Sequence, residues 1–319
     1  YLNIVNGDNN PVFNSGSGGE ESFMSFLSRI NYSYEGKYLL NATFRRDGSS
    51  KFAPANRWGN FGSVGLGWVI SEEDFFTLRG IDFLKLRGAW GTVGGGLGLS
   101  PNLFRPGLNT ANVGVFGDNV YGSVIPAYVP DSNLRWSIVR GVDIGLEARA
   151  LENRLSGDIT FYDRTTKDLL TTITLLGTAG SYPFLTNLGN LSNKGIEVTL
   201  GWNDRIGNDF TYSINGNVSY NRNKVVSIGN NLDFEILGNG NVNRTVSGES
   251  VGYFWGYRQV GIYQSVADMD KMPTMPTSLP GDIAFADVNG DGKIDPADRT
   301  YLGTPFPSYN FGGSITLGY

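Results

Sequence analysis

FTYSINGNVSYN, residues 210–221, decides the fold. Phe210, Tyr212, Ile214, Gly216, Val218 and Tyr220 are apolar or small, and Thr211, Ser213, Asn215, Asn217, Ser219 and Asn221 between them are polar. A period of two marks a strand with one dry and one wet face. Aromatic rings close both ends of the dry face. A strand crossing a bilayer has this arrangement, because Trp and Tyr settle at the two water–lipid boundaries.

The same alternation recurs along the chain. Tyr309 to Tyr319, Val142 to Ala150, Leu155 to Phe161 and Ile196 to Trp202 each keep one apolar and one polar face. So do Phe26 to Tyr34, Tyr38 to Phe44, Trp58 to Ile70 and Leu84 to Trp90. With 210–221 they predict nine strands, each about the length that crosses a bilayer at a tilt. The connections alternate as well. Glu35-Gly36, Leu151 to Arg154 and the stretch NDRIGND after Trp202 are short. A somewhat longer link, Ser71 to Asp82, belongs to the same side. Residues 47–57, 94–135, 164–193 and 222–307 are the long connections. In an up-and-down meander this places short turns on one side and long loops on the other, as in outer-membrane barrels. The expected fold is all-β, an antiparallel up-and-down transmembrane β-barrel. A soluble β-sandwich also alternates, but its strands are nearer five or six residues and it predicts no aromatic girdle.

Nine strands in lipid would leave an open edge of unpaired backbone groups. Residues 1–319 are therefore expected to be part of one larger barrel domain, with terminal strands missing. Residues 223–307 are expected to form one long extracellular loop. The chain opens YLNIVNGDNN, with no basic and apolar leader.

Composition narrows the function. The 319 residues hold 45 Gly, 13% aromatics and only 17% charged residues, which suits strands with tight turns. Without Cys or His there is no thiolate nucleophile, no Ser-His-Asp triad and no zinc-histidine site. A net charge of −5 argues against a nucleic-acid partner. No paired carboxylates stand out as acid and base, so an enzyme is not expected. Gly94-Gly95-Gly96 lacks the lysine and Ser/Thr of a phosphate loop.

Two motifs in the longest loop carry chemistry. DVNGDGKIDPAD, 287–298, follows the spacing of a twelve-residue calcium loop. Asp287, Asn289 and Asp291 take positions 1, 3 and 5, Gly292 the turn position, and Lys293 offers its carbonyl. Asp295 and Asp298 take positions 9 and 12, with Asp298 standing where Glu is usual. A structural Ca2+ ion or an ion-free Asx-rich turn would both explain it. Tyr253, Phe254, Trp255 and Tyr257, with Tyr263 beyond them, form an aromatic cluster. The first four are candidates for ligand or lid contact, against internal packing as the alternative. Arg45, Arg46 and Asp47 either line the pore mouth or form a solvated rim.

Several longer stretches carry a resemblance. YEGKYLLNATFRRDGSSKFAPANRWGNFGSVGLGWVISEEDFF (34–76), LKLRGAWGTVG (84–94) and NKGIEVTLGWN (193–203) are three of them. FTYSINGNVSYNRNKV (210–225) and GDIAFADVNGDGKIDPADRTYLGTPFPSYNFGGSITLGY (281–319) are two more. Together they resemble the barrel of SusC/RagA-type TonB-dependent outer-membrane transporters of Bacteroidota. The resemblance implies a 22-stranded barrel with an N-terminal plug and energy from TonB. It implies a SusD-like lipoprotein lid and import of glycans or peptides. No plug and no TonB-contacting segment is present here, so TonB would be met through a part outside these residues. The competing functions are a passive porin, an outer-membrane adhesin, and a secreted calcium-stabilised β-sandwich that binds carbohydrate.

Overall fold

The computed structural model describes residues 20–96, 98–117, 119–174, 183–207, 209–229, 236–237 and 242–319; the opening YLNIVNGDNN lies outside them. In chain order the strands are β1 (Phe23–Tyr34), β2 (Tyr38–Ser49), β3 (Trp58–Val69) and β4 (Ile81–Gly95). A hairpin follows, β5 (Gly107–Phe116) and β6 (Asn119–Tyr128). Next come β7 (Ser137–Ala150), β8 (Leu155–Thr174), β9 (Pro183–Ile206) and β10 (Phe210–Ile228). The long loop holds β11 (Ile236–Leu237), β12 (Asn243–Thr245), β13 (Tyr253–Tyr257), β14 (Gln259–Ile262), β15 (Ile283–Phe285) and β16 (Arg299–Gly303). The last strand is β17 (Tyr309–Gly318).

One antiparallel sheet in the order β1-β2-β3-β4-β7-β8-β9-β10-β17 forms a wall, and these are the nine strands expected. Neighbours on the wall are neighbours in sequence once the inserted loop strands are set aside. β1 and β17 are its two edges, so the barrel does not close within this chain.

The short turns set the register. Glu35 and Gly36 both have positive φ, 52° and 70°, as a type I′ turn requires. The Lys37 N–H closes that turn on the Tyr34 carbonyl at 3.0 Å. Tyr34 then faces Tyr38, and Ile30 faces Ala42. Because side chains alternate with period two, this register puts every dry residue on one face. Leu66, Phe161, Leu200 and Ile144 on that face stay 61%, 56%, 56% and 53% exposed. A sheet in water would have to cover such a surface, whereas a sheet in hydrocarbon leaves it bare. Glu73 ties down the aromatic rim at the short-turn end. It accepts from the Tyr38 hydroxyl at 2.6 Å and the Trp68 indole N–H at 2.8 Å. Polar handles of this kind hold ring bodies at a boundary.

The buried apolar core lies at the opposite end. Phe52, Phe61, Leu134 and Trp136 are buried together, with Leu170 and Leu185 against them. Phe52 and Trp136 rings sit 4.5 Å apart, and the Trp136 indole N–H donates to the Arg57 carbonyl at 3.1 Å. Loop residues thus pack on strand residues of β3, β8 and β9 at this end of the wall.

Two expectations about the loops need correction. Residues 164–193 are mostly strand, because β8 and β9 run on to Thr174 and from Pro183. At about 3.3 Å per residue, the 24 residues of β9 span about 80 Å, far beyond a bilayer. The Thr- and Leu-rich run Leu169–Thr174 pairs with 183–189 beyond a bulge at Thr166/Leu169. The long loop also starts after residue 228 rather than at 223. Lys224 to Ile228 continues β10 against β9 through a bulge at Val225/Ser227. Beyond it stand a four-stranded sheet, β11-β12-β13-β16, and the pair β14-β15.

Ile214, outward and between the two ring positions Tyr212 and Tyr220 of β10, tests the facing assignment. Ile214→Arg in the full-length protein is expected to cost about 2–4 kcal/mol, and Asn215→Arg less than about 1 kcal/mol. Urea unfolding in lipid vesicles measures both, and equal tolerance at the two positions would break the facing assignment.

Candidate functional site

The inward face of the wall is polar and organised across strands. Arg87 on β4 lies opposite Gly145 on β7, which lies opposite Thr160 on β8. A Cβ at Gly145 would stand 2.9 Å from Arg87 Nε. Its absence lets the guanidinium cross β7. The guanidinium donates to both Asp158 oxygens at 2.8 Å and to Thr160 Oγ1 at 2.7 Å. Tyr162 repeats the device one strand further on. It faces Gly195 on β9, and its hydroxyl donates to Asn221 Oδ1 on β10 at 2.9 Å. A Cβ at Gly195 would run into the Tyr220 carbonyl and the Tyr162 hydroxyl.

Ordinary neighbouring pairs fill the rest of this face. Lys85 meets Glu147 at 3.8 Å, and Arg164 meets Asp143 at 2.9 Å. Arg45 binds Asp47 at 2.6 Å, and Ser25 donates to the same carboxylate. Of the three candidate rim residues, Arg45 and Asp47 therefore face inward. Arg46 lies on the other face, its guanidinium 5.1 Å from the Trp58 ring centre. Asp47 is buried and depends on its partners, whereas part-exposed pairs such as Lys85–Glu147 and Arg164–Asp143 are worth at most about 1 kcal/mol each. Their effect is to fix where each charge stands. The wall offers donors and acceptors of both signs.

Three of the four loop aromatics are used in internal packing. Tyr253 is buried, 5.3 Å from the Tyr301 ring and 6.1 Å from Trp255. Trp255 lies under the Arg244 guanidinium at 4.2 Å. Tyr257 packs on Phe285 at 5.3 Å, with Arg299 over its ring. Tyr263 is buried too, and donates to the Pro273 carbonyl. Phe254 alone of the four is exposed.

The 287–298 loop closes on its own amides. Asp287 accepts from the N–H groups of Gly290, Asp291 and Gly292. Asn289 Oδ1 accepts from Asp291 N–H, and Asp291 from Lys293 N–H. Asp295 and Asp298 form a capping box round Pro296–Asp298. Asp298 is fully buried and also accepts from Val288 N–H at 2.9 Å. The Asp295 backbone amide, followed by those of Val288 and Asn289, holds its carboxyl below the usual carboxylate range. Gly292 has φ 81°, the left-handed turn expected of it. Among the described residues, no three acidic side chains are gathered where they would hold a metal ion.

Sequence reading had not located the two glycine crossings. Each pairs a lumen-phase glycine with a long side chain on the next strand, and register alone reveals that they are level.

Comparison with known proteins agrees with this geometry. A family model described as TonB dependent receptor-like, beta-barrel, matches residues 2–319. TonB-dependent receptor P26 of Formosa agariphila is 33% identical over 302 residues, covering 92% of this chain and 30% of that protein. TonB-dependent receptor SusC of Bacteroides thetaiotaomicron is 32% identical over 291 residues, covering 87% and 28%. The chain thus spans about 30% of the length of these relatives. A solved structure of the RagAB peptide transporter superposes with a TM-score of 0.77 at 21% identity, over 94% of this chain and 32% of that one. The chain belongs to the TonB-dependent receptor family, and its nine-stranded sheet is wall of an outer-membrane β-barrel of the SusC-like kind.

Proposed function

We propose that the full-length receptor imports an oligomeric polar nutrient, a glycan or a peptide, across the outer membrane. Energy would come from TonB, acting on a part of the receptor outside these residues. A SusD-like lipoprotein would cover the extracellular mouth. This chain would supply lipid-facing wall, lumen lining and lid-facing loops, with Phe254 as the aromatic offered to a ligand or lid. The carrying observation is the inward face, where paired charges and amides stand at fixed register from Arg45 to Asn221. Such a lining hydrogen-bonds a hydrated cargo along its path without trapping it at one site. RagAB is a peptide importer, and SusC, at 32% identity against 21%, is nearer to this chain in sequence. At 21% identity the former supports the fold and leaves glycan and peptide both open.

Uptake of labelled oligosaccharides and oligopeptides by cells with and without TonB tests the proposal. Accumulation that disappears without TonB is expected. Equal entry in both strains would make the protein a passive porin, and surface binding without entry would make it an adhesin.

Gly145 gives a residue-level check. Gly145→Val is expected to push Arg87 off Asp158 into the lumen and to lower uptake several-fold. Combining it with Arg87→Ala is expected to restore most of the rate. Failure of the double variant to recover would place the defect in the fold rather than in the lining.

We further propose calcium as the ion of loop 287–298, on the spacing of its oxygen residues. It would brace the loop and take no part in transport. In the full-length protein, millimolar calcium is expected to slow proteolysis between 280 and 300, and Asp287→Ala to remove the effect. Equal cleavage with calcium and with chelator would leave the loop held by its amides alone. Acid adds an independent check. The folded Asp298 pKa is depressed, so its contribution is full above the unfolded value of about 3.9 and is lost as pH falls through the folded one. Cleavage is therefore expected to rise only below about pH 4.

A further inference from the structure

The outward face changes character abruptly at its loop end. Two successive cross-strand rows lie just above the apolar band on β7 to β10. One runs Val142–Asp163–Lys194–Arg222 and the next Arg140–Thr165–Ser192–Lys224. Each residue continues the lipid-facing phase of its strand: Arg140 is two from Val142, Lys194 two from Ile196, and Arg222 two from Tyr220. No bulge intervenes, since the irregularities come later, after Thr166 and Val225.

Four cations thus share one small area, and all four are exposed. Lys194 pairs with Asp163 at 2.7 Å. Arg140, Arg222 and Lys224 make no ion pair among the described residues. Lys194 and Arg222 lie directly opposite each other, where like charges repel. The other rim differs: Lys37 and Arg154 each have a carboxylate at 3.5 Å, Glu73 and Asp204. Beside the cationic rows is a notch of about 320 Å³, lined by Arg222, Lys224, Glu249, Ser250 and Tyr301 among others. Tyr220, at its edge, packs tilted against Tyr309 with ring centres 4.9 Å apart.

We propose that these rows bind the phosphate of an anionic glycolipid in the outer leaflet. Continuity with the lipid-facing wall argues for a lipid over a soluble anion. Acyl chains would lie along Val218, Ile196 and Phe161, which puts a phosphorylated headgroup level with Arg222, Lys194 and Arg140. Basic clusters at a membrane boundary select anionic headgroups in this way. A phosphate between Lys194 and Arg222 would also relieve their mutual repulsion.

The test uses full-length receptor stripped of lipid, then mixed in detergent with phosphorylated lipid A or with its dephosphorylated form. Native mass spectrometry counts retained lipid. Wild type is expected to retain the phosphorylated form at least about tenfold better, and the Lys194→Gln/Arg222→Gln/Lys224→Gln variant to lose that preference. Lys37→Gln, on the opposite rim, is expected to keep it. Heat-dependent gel mobility reports folding. If the triple variant fails it, Arg222→Gln alone is expected to lower the preference a few-fold. Equal retention of the two lipids, or unchanged preference in a folded variant, would overturn the proposal. Displacement of the lipid by equimolar inorganic phosphate would assign the rows to a free anion instead. A variant that keeps the glycolipid but loses a co-purifying surface protein would assign them to that partner.

Discussion

Hydrocarbon offers the backbone no hydrogen-bond partner, and the rest of this structure depends on that fact. Each unpaired N–H or C=O inside a bilayer costs several kcal/mol. A chain made of strands must then run them side by side over their whole membrane depth. The wall does so from β1 to β17, with long unbroken registers at β1–β2, β2–β3 and β7–β8 and a shorter one, Ser63–Val69, at β3–β4. Once register is fixed, the two faces follow without further choice. One face can be wholly apolar because nothing has to cover it. The other is free to carry charge because water fills the space beside it.

This division explains where the buried core lies. A soluble protein of this length would bury the dry face of its sheet. Here the dense apolar contacts lie at the aqueous end of the wall, where the loop residues Phe52, Leu134 and Trp136 fold onto Phe61 of β3. Stability of the wall rests on ladder hydrogen bonds and lipid, and that of the loops on ordinary hydrophobic burial. The 287–298 loop uses a third means, carboxylates closing on backbone amides.

Nine strands were legible in the sequence because period two survives wherever one face meets lipid. Residues 210–221 and 309–319 announce themselves for that reason. Legibility ended where lipid ended. The Thr- and Leu-rich continuation of β8 and β9 above the membrane packs Leu170 and Leu185 on the loop core without a strict two-residue period, so 164–193 looked like loop. The aromatic cluster was visible as composition, but whether Tyr253 or Phe254 faced outward depended on pairing with β16. Calcium-loop spacing was plain from the letters, whereas the amides that occupy its carboxylates could be seen only in three dimensions. Level pairs such as Arg87 with Gly145 stayed hidden because 58 positions of sequence separate them.

The glycine crossings have a consequence for bore. A side chain on the inner wall of a tube ordinarily points toward the axis and narrows the passage. Arg87 and Tyr162 instead run circumferentially, lying across a neighbouring strand to a partner two strands away, about 10 Å along the wall. Their length is taken up along the circumference and not along the radius. A lining laid flat in this manner leaves the channel wider than its residue sizes would indicate, and keeps its polar groups on the perimeter.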